Sequence, residues 1–195
     1  MSSTGSLSSK LIVLRGNSAS GKSTVAAEIR LRHGRGLAIV GQDNLRRVVL
    51  REHDKPNAAN IGLIDLTARY ALDHGFHVIV EGILHASHYG DMLTTLRADH
   101  LGATRLYYMH VPFDETLRRH ATKPQATEYG EAEMSAWYRE LDLLPGGIEH
   151  IITAETSLND SVTLIMSGVG VTRATPARWR PNPSSHTNPS FSLPS

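Results

Sequence analysis

The sequence predicts an α/β fold in three layers, with a five-stranded parallel sheet between helices and a small helical lid. Three observations predict it. Short apolar runs recur between residues 10 and 153, and each is followed by a stretch of helical periodicity. Strands alternating with helices pair in parallel through crossovers, which bury the sheet on both faces. A glycine-containing loop sits directly between the first run and the first helical stretch, as a ligand-binding edge of such a sheet requires.

Lys10-Leu11-Ile12-Val13-Leu14 is a continuous apolar run, the pattern of a strand covered on both faces. A helix over Ser23–His33 follows, with Val25, Ala26, Ile29 and Leu31 for packing and Gly34 as its stop. Leu37–Val40 is the second strand, and Asn60–His74 a helix whose apolar positions are Ile61, Ile64, Leu66, Ala68, Ala71 and Leu72. His77–Val80 forms the third strand, with a helix around Tyr89–His100 behind it. Arg105–Val111 is the fourth strand and Asp114–Thr122 a short helix. His150–Thr153 is the fifth strand and Asp160–Met166 closes the series.

The domain reading is a flexible leader over 1–9, one domain over 10–168 with a lid at about 119–140, and a flexible tail over 169–195. Five of the nine prolines and no acidic residue lie from Gly170 onward, which is why that segment reads as a tail. At 195 residues one ordinary core is expected. No apolar run approaches the ~20 residues that span a bilayer, and residues 1–9 lack the basic-then-apolar order of a secretory signal. Zero cysteines exclude disulfides and thiolate chemistry, and a cytoplasmic chain is expected. A formal charge of +1 supplies no field for nucleic acid or anionic membrane, so the partners expected are small molecules.

Gly16-Asn17-Ser18-Ala19-Ser20-Gly21-Lys22-Ser23 follows the first strand and opens the first helix, the context that gives the GxxxxGK[ST] pattern its meaning. Its glycines let backbone N–H groups curl around phosphate oxygens, and the helix N-terminus adds its positive end. Lys22 is expected on the β- and γ-phosphates and Ser23 on Mg²⁺, with Thr24 beside it. The architecture is thereby narrowed to a P-loop NTPase fold that uses ATP or GTP.

Two carboxylates follow apolar runs at the same sheet edge, Asp43 and Glu81. Phosphoryl transfer needs a group that orients or deprotonates the attacking hydroxyl and one that helps hold the metal. Asp43 is read as the general base, because the second strand is expected to end beside the phosphate loop. Glu81 is read as binding substrate, ordering the metal's water shell, or sharing the base role. Arg46, Arg47, His85 and His88 are placed on the acceptor side. Arg119 and Lys123, four apart on one expected helix face, suit an anion held between them, Arg119 as a catalytic cation and Lys123 as a nucleotide contact. Residues 122–140, ending near Trp137, Tyr138 and Arg139, suit a mobile lid.

These residues resemble the small P-loop kinases that include chloramphenicol phosphotransferase and the zeta toxins. The match is carried by Gly16–Ser23, by Gln42-Asp43-Asn44-Leu45-Arg46 and by Val80-Glu81-Gly82-Ile83-Leu84. The resemblance implies that Asp43 is the base on a substrate hydroxyl, with ATP and Mg²⁺ as cofactors. The expected activity is ATP-dependent transfer of the γ-phosphoryl group to a hydroxyl of a small molecule, an antibiotic or a metabolite. Alternatives are a zeta-toxin-like UDP-N-acetylglucosamine kinase, a nucleotide-dependent switch with slow ATPase activity, and a kinase of nucleic-acid 5′-hydroxyls. His85 stands where the zeta toxins carry an arginine, and Lys123 where many such kinases carry another, which favours a smaller acceptor.

Overall fold

The computed structural model describes residues 3–122 and 129–172. Its elements run β1 (Lys10–Arg15), α1 (Lys22–His33), β2 (Leu37–Gly41), α2 (Ala59–Asp73), β3 (His77–Glu81), α3 (Ala86–Asp99), β4 (Ala103–His110), α4 (Phe113–His120), α5 (Glu131–Trp137), β5 (Glu149–Thr153) and α6 (Leu158–Val169). A π-helical segment, Asn44–Val49, follows β2. The five strands form one parallel sheet in the order β2-β3-β1-β4-β5. The three-layer α/β reading of the sequence is therefore correct.

Alternation along the strands divides the core in two. Leu11, Val13, Val78, Val80 and Leu106 pack with Ile64, Leu72, Tyr89 and Leu93 of α2 and α3. Ile12, Leu14, Ile79, Tyr107 and Met109 pack on the other face with Val25, Ile29, Val162 and Ile165 of α1 and α6. The loops leaving neighbouring β1 and β3 thus lead to helices on opposite faces, which opens a crevice at the carboxyl ends of those strands.

Several local expectations change. Leu31 and Leu66, assigned to packing faces, are 76% and 64% exposed, because the strand-facing stripe of each helix is narrower than the sequence pattern. Within the segment read as a leader, several residues make hydrogen bonds to the domain. Thr4 donates its hydroxyl to Asp73 (2.9 Å), its N–H to the Asp99 carbonyl (3.0 Å), and Ser9 Oγ meets His100 Nε2 at 2.8 Å. At the other end Val171 is buried, so packing continues past the start of the expected tail. Residues 173–195 of that tail lie outside the described residues. Among the described residues no helix is long and apolar enough to cross a membrane.

Candidate active site

β1 ends at the fully buried Arg15, and the next residue turns the chain. Gly16 has φ +143°, and a Cβ there would lie 2.5 Å from the Met109 carbonyl oxygen, so this position needs both the freedom and the smallness of glycine. Ala19 also takes a positive φ, 58°, and Gly21 enters α1 at φ 100°. Lys22 is buried in the loop it serves, with Nζ donating to the Asn17 carbonyl at 2.7 Å and to Ser20 Oγ at 3.1 Å. A cavity of about 670 Å³ opens over this loop, lined by residues that include Ser18, Ala19, Gly21, Lys22, Ser23, Thr24, Asp43 and Glu81.

Glu81 ends β3 in register with Leu14 of β1 and Gly41 of β2. Its Oε2 accepts the Ser23 hydroxyl at 2.9 Å. A Cβ at position 41 would come within 2.9 Å of Oε1, so Gly41 makes room for the carboxylate. Two oxygen donors side by side suit a hard cation such as Mg²⁺, which is bound through one or two carboxylates and substrate phosphates. Glu81 lines the phosphate cavity and not the neighbouring one.

That neighbouring cavity, about 600 Å³, is lined by Arg46, His85, His88, Trp137, Arg139 and Asp142 among others. Ser18, Asp43, Arg47, Ile83 and Tyr129 line both cavities. Asp43 thus stands between the chambers, although β2 is separated from β1 by β3 and does not end directly beside the phosphate loop. Asp43 lies two residues past the end of β2, at the N-cap of the π-helical segment. Its carboxylate is largely exposed, with Oδ1 accepting from Arg46 Nη2 at 2.9 Å, and it makes no capping hydrogen bond. Arg46, expected to grip substrate, is thereby paired with Asp43 on the chamber wall.

Arg119 reaches the phosphate loop: Nη1 donates to the Ser20 carbonyl at 3.4 Å, while Nε is held by Glu115 at 2.6 Å. Hydrogen bonds from Arg118 and Arg119 hold the Glu115 carboxyl down at about 2, so it stays ionised and keeps Arg119 in place. α4 ends at His120, and Lys123, paired with Arg119 in the sequence reading, lies outside the described residues. Tyr129 follows that gap, its hydroxyl 3.4 Å from Ser18 Oγ and its ring stacked on His120 at 4.5 Å.

Several structural partners of the site were not foreseen from sequence. Arg15 donates Nε to the Leu84 carbonyl (2.8 Å), Nη1 to both Glu149 oxygens (2.9 and 3.0 Å) and Nη2 to Asp142 Oδ2 (3.0 Å). The same Asp142 oxygen accepts the Ala86 N–H at 2.8 Å. Burial pushes the Asp142 carboxyl up, but the nearby His85, the Ala86 N–H and the Arg15 charge outweigh it and hold it below the usual range. His85 Nδ1 is 3.8 Å away, a neighbouring charge when protonated and too distant for a direct hydrogen bond. Asn17 exchanges two hydrogen bonds with the Arg139 backbone, at 2.7 and 2.9 Å, so its side chain anchors the wall of the 600 Å³ cavity. A second buried group joins Gln42, Tyr89, Asn60 and Asp54, with Gln42 Nε2 donating to Tyr89 Oη at 2.8 Å. The one sequence signal for Arg15 was an arginine ending an otherwise apolar central strand, which must find partners.

The fold is shared with several solved structures. The APS kinase CysC of Mycobacterium tuberculosis, solved with AMPPNP and APS, superposes with a TM-score of 0.62 at 19% identity over 85% of this chain and 97% of that one. A gluconokinase from Sinorhizobium meliloti 1021 gives 0.57 at 16% identity, over 87% and 94%. The tunicamycin resistance protein of Deinococcus radiodurans gives 0.60 at 16% identity, over 86% and 100%. At these identities the likeness is one of fold. No curated protein matches the sequence. The AAA domain family model (AAA_33) matches residues 11–144, more than half of the chain, and the protein belongs to that family.

Proposed function

We propose that the protein is an ATP-dependent small-molecule kinase that transfers the γ-phosphoryl group to an acceptor hydroxyl. The observation that carries this reading is the pair of adjoining cavities with Asp43 on their shared wall: one is lined by the phosphate loop, the other by polar side chains away from it. A switch or a simple ATPase has no need of the second chamber. The fold shared with an APS kinase and a gluconokinase supports the same class, as does the AMPPNP bound to the former.

In this reading the loop backbone and Lys22 hold the β- and γ-phosphates, and Arg119 adds positive charge beside Ser20. Ser23 and Glu81 would hold Mg²⁺, which when bound neutralises phosphate charge. The acceptor oxygen forms a bond to the γ-phosphorus, the bond from that phosphorus to the β–γ bridging oxygen breaks, and ADP leaves. Asp43 takes the hydroxyl proton through the oxygen not engaged by Arg46. The narrower kinship with the chloramphenicol phosphotransferase and zeta toxin group belongs to this proposal too. It draws on Asp43 and on Glu81-Gly82, with His85 as its departure.

The test is ADP release over a broad set of hydroxylated small molecules, for the protein and for Asp43→Asn. An acceptor should stimulate ADP release, and Asp43→Asn should lower turnover about 10²- to 10⁴-fold with ATP affinity retained. A variant that loses only nucleotide affinity would sink the base assignment. Lys22→Ala should abolish turnover, and wild-type activity in that variant would overturn the donor site.

A further inference from the structure

We infer that the acceptor is a polyhydroxylated ring, a sugar or cyclitol, that lays one face on Trp137 and donates hydroxyl hydrogen bonds to Asp43 and Asp142. This rests on the kinase reading for the chemistry but on the chamber alone for the ligand class. The chamber is about 600 Å³, within the roughly 300–1,000 Å³ of small-molecule sites, but unlike most of them it is not chiefly apolar. Among the described lining residues, all but Ile83, Ala136 and Trp137 carry hydrogen-bonding groups as their main feature. An apolar acceptor would strand those groups without water or partner, at a cost for each.

The charges are close to balanced, so the chamber is not an anion hole: four cationic side chains face three carboxylates. Asp43 is paired to Arg46 and Asp142 to Arg15. Each of these two carboxylates uses one oxygen internally, Oδ1 of Asp43 and Oδ2 of Asp142, and the other oxygen has no hydrogen bond among the described residues. Ionised carboxylates only accept, so what they lack is donors. Hydroxyls supply them as charge-assisted bonds without bringing charge of their own. Asp54 is different, with both oxygens engaged by Gln42, Tyr89 and His88, and serves to shape the wall.

Trp137 is 40% exposed and meets Tyr129 edge-on at 5.1 Å, which leaves an indole surface on the chamber. A saturated ring presents its C–H groups on one face and its hydroxyls around the rim, and that geometry matches an aromatic platform ringed by acceptors. A bound ring would have one hydroxyl at Asp43, next to the phosphate loop, and others towards Asp142.

Calorimetric titration of the full chain at saturating AMPPNP and Mg²⁺, which keeps anions off the phosphate loop, tests the class. The panel holds neutral monosaccharides and cyclitols, their uronate counterparts, and benzyl alcohol. At least one neutral polyol should bind, and Asp142→Asn and Trp137→Ala should each weaken it about tenfold or more. Asp142 also contacts Arg15, so the exposed Trp137 provides the variant with the smaller structural risk. Binding only of the uronates, preference for benzyl alcohol, binding unmoved by both variants, or no binding by any member would each overturn the inference. ADP release across the same panel separates the two readings. Polyol binding without ADP release counts against phosphoryl transfer and leaves the ligand class standing. ADP release stimulated only by non-polyols leaves the kinase and removes the class.

Discussion

At the residue scale the phosphate loop contains two backbone positions with opposite tolerance. Gly16 lies at φ +143° with the Met109 carbonyl 2.5 Å from where a Cβ would stand. The obstacle is backbone in the central sheet and cannot swing aside. Gly16→Ala is expected to cost about 1–3 kcal/mol in urea unfolding and to abolish nucleotide binding. Ala19, at φ 58°, already bears the left-handed conformation with a Cβ. Ala19→Gly removes a strain of about 1–2 kcal/mol but adds about 0.5–1 kcal/mol of unfolded-chain entropy, so stability should stay level or rise by no more than about 1.5 kcal/mol. A severe loss in the second variant would mean that the Ala19 methyl is held by packing, not merely tolerated.

At the element scale, what the sequence made legible was what lies close along the chain. Each strand, the phosphate loop, Asp43 and Glu81 could be read because an apolar run and the residues just after it share one local signal. Arg15 and Asp142 could not be assigned roles, nor Asn17 any beyond its place in the phosphate loop, because Arg15 finds Asp142 and Glu149 at separations of 127 and 134 residues and Asn17 finds Arg139 at 122. Only the packed sheet brings them together. Both flanks of Gly16 are thereby tied to the segment that walls the second cavity. Arg15→Met would leave Asp142 and the nearly buried Glu149 without their counter-charge, and a loss of about 3–5 kcal/mol is expected. Arg15→Lys, which keeps the charge but not the fork, should fall between. Arg15→Met combined with Glu149→Met should recover part of the loss, and equal stability of the single and double variants would show that packing, not charge, is at stake.

At the scale of the whole molecule, the edge of the sheet opposite the active site sets how the protein responds to acid. His77 opens β3 there, with its ring 5.0 Å from that of His33 and its Nδ1 buried without a hydrogen-bond partner. Burial first, then the charges of His33, Lys10 and His100, pull its pKa from 6.5 down to about 4. His100 is lowered as well, by burial and then by Lys10. Between about pH 4 and 6.5 the unfolded chain therefore binds more protons than the folded one, and stability must rise with pH across that window and fall as acid is added. For His77 alone the full effect is on the order of 2–3 kcal/mol, once its residual exposure is allowed for. Glu115, held at about 2, loses its contribution only below the ordinary carboxylate range, so a comparison of pH 7 with pH 5 isolates the histidines. Urea unfolding should give a clearly lower stability at pH 5 than at pH 7, and His77→Gln should flatten that difference while leaving the trace due to His100. A variant with the same slope as the parent would remove His77 from the account and leave acid sensitivity to the other buried groups.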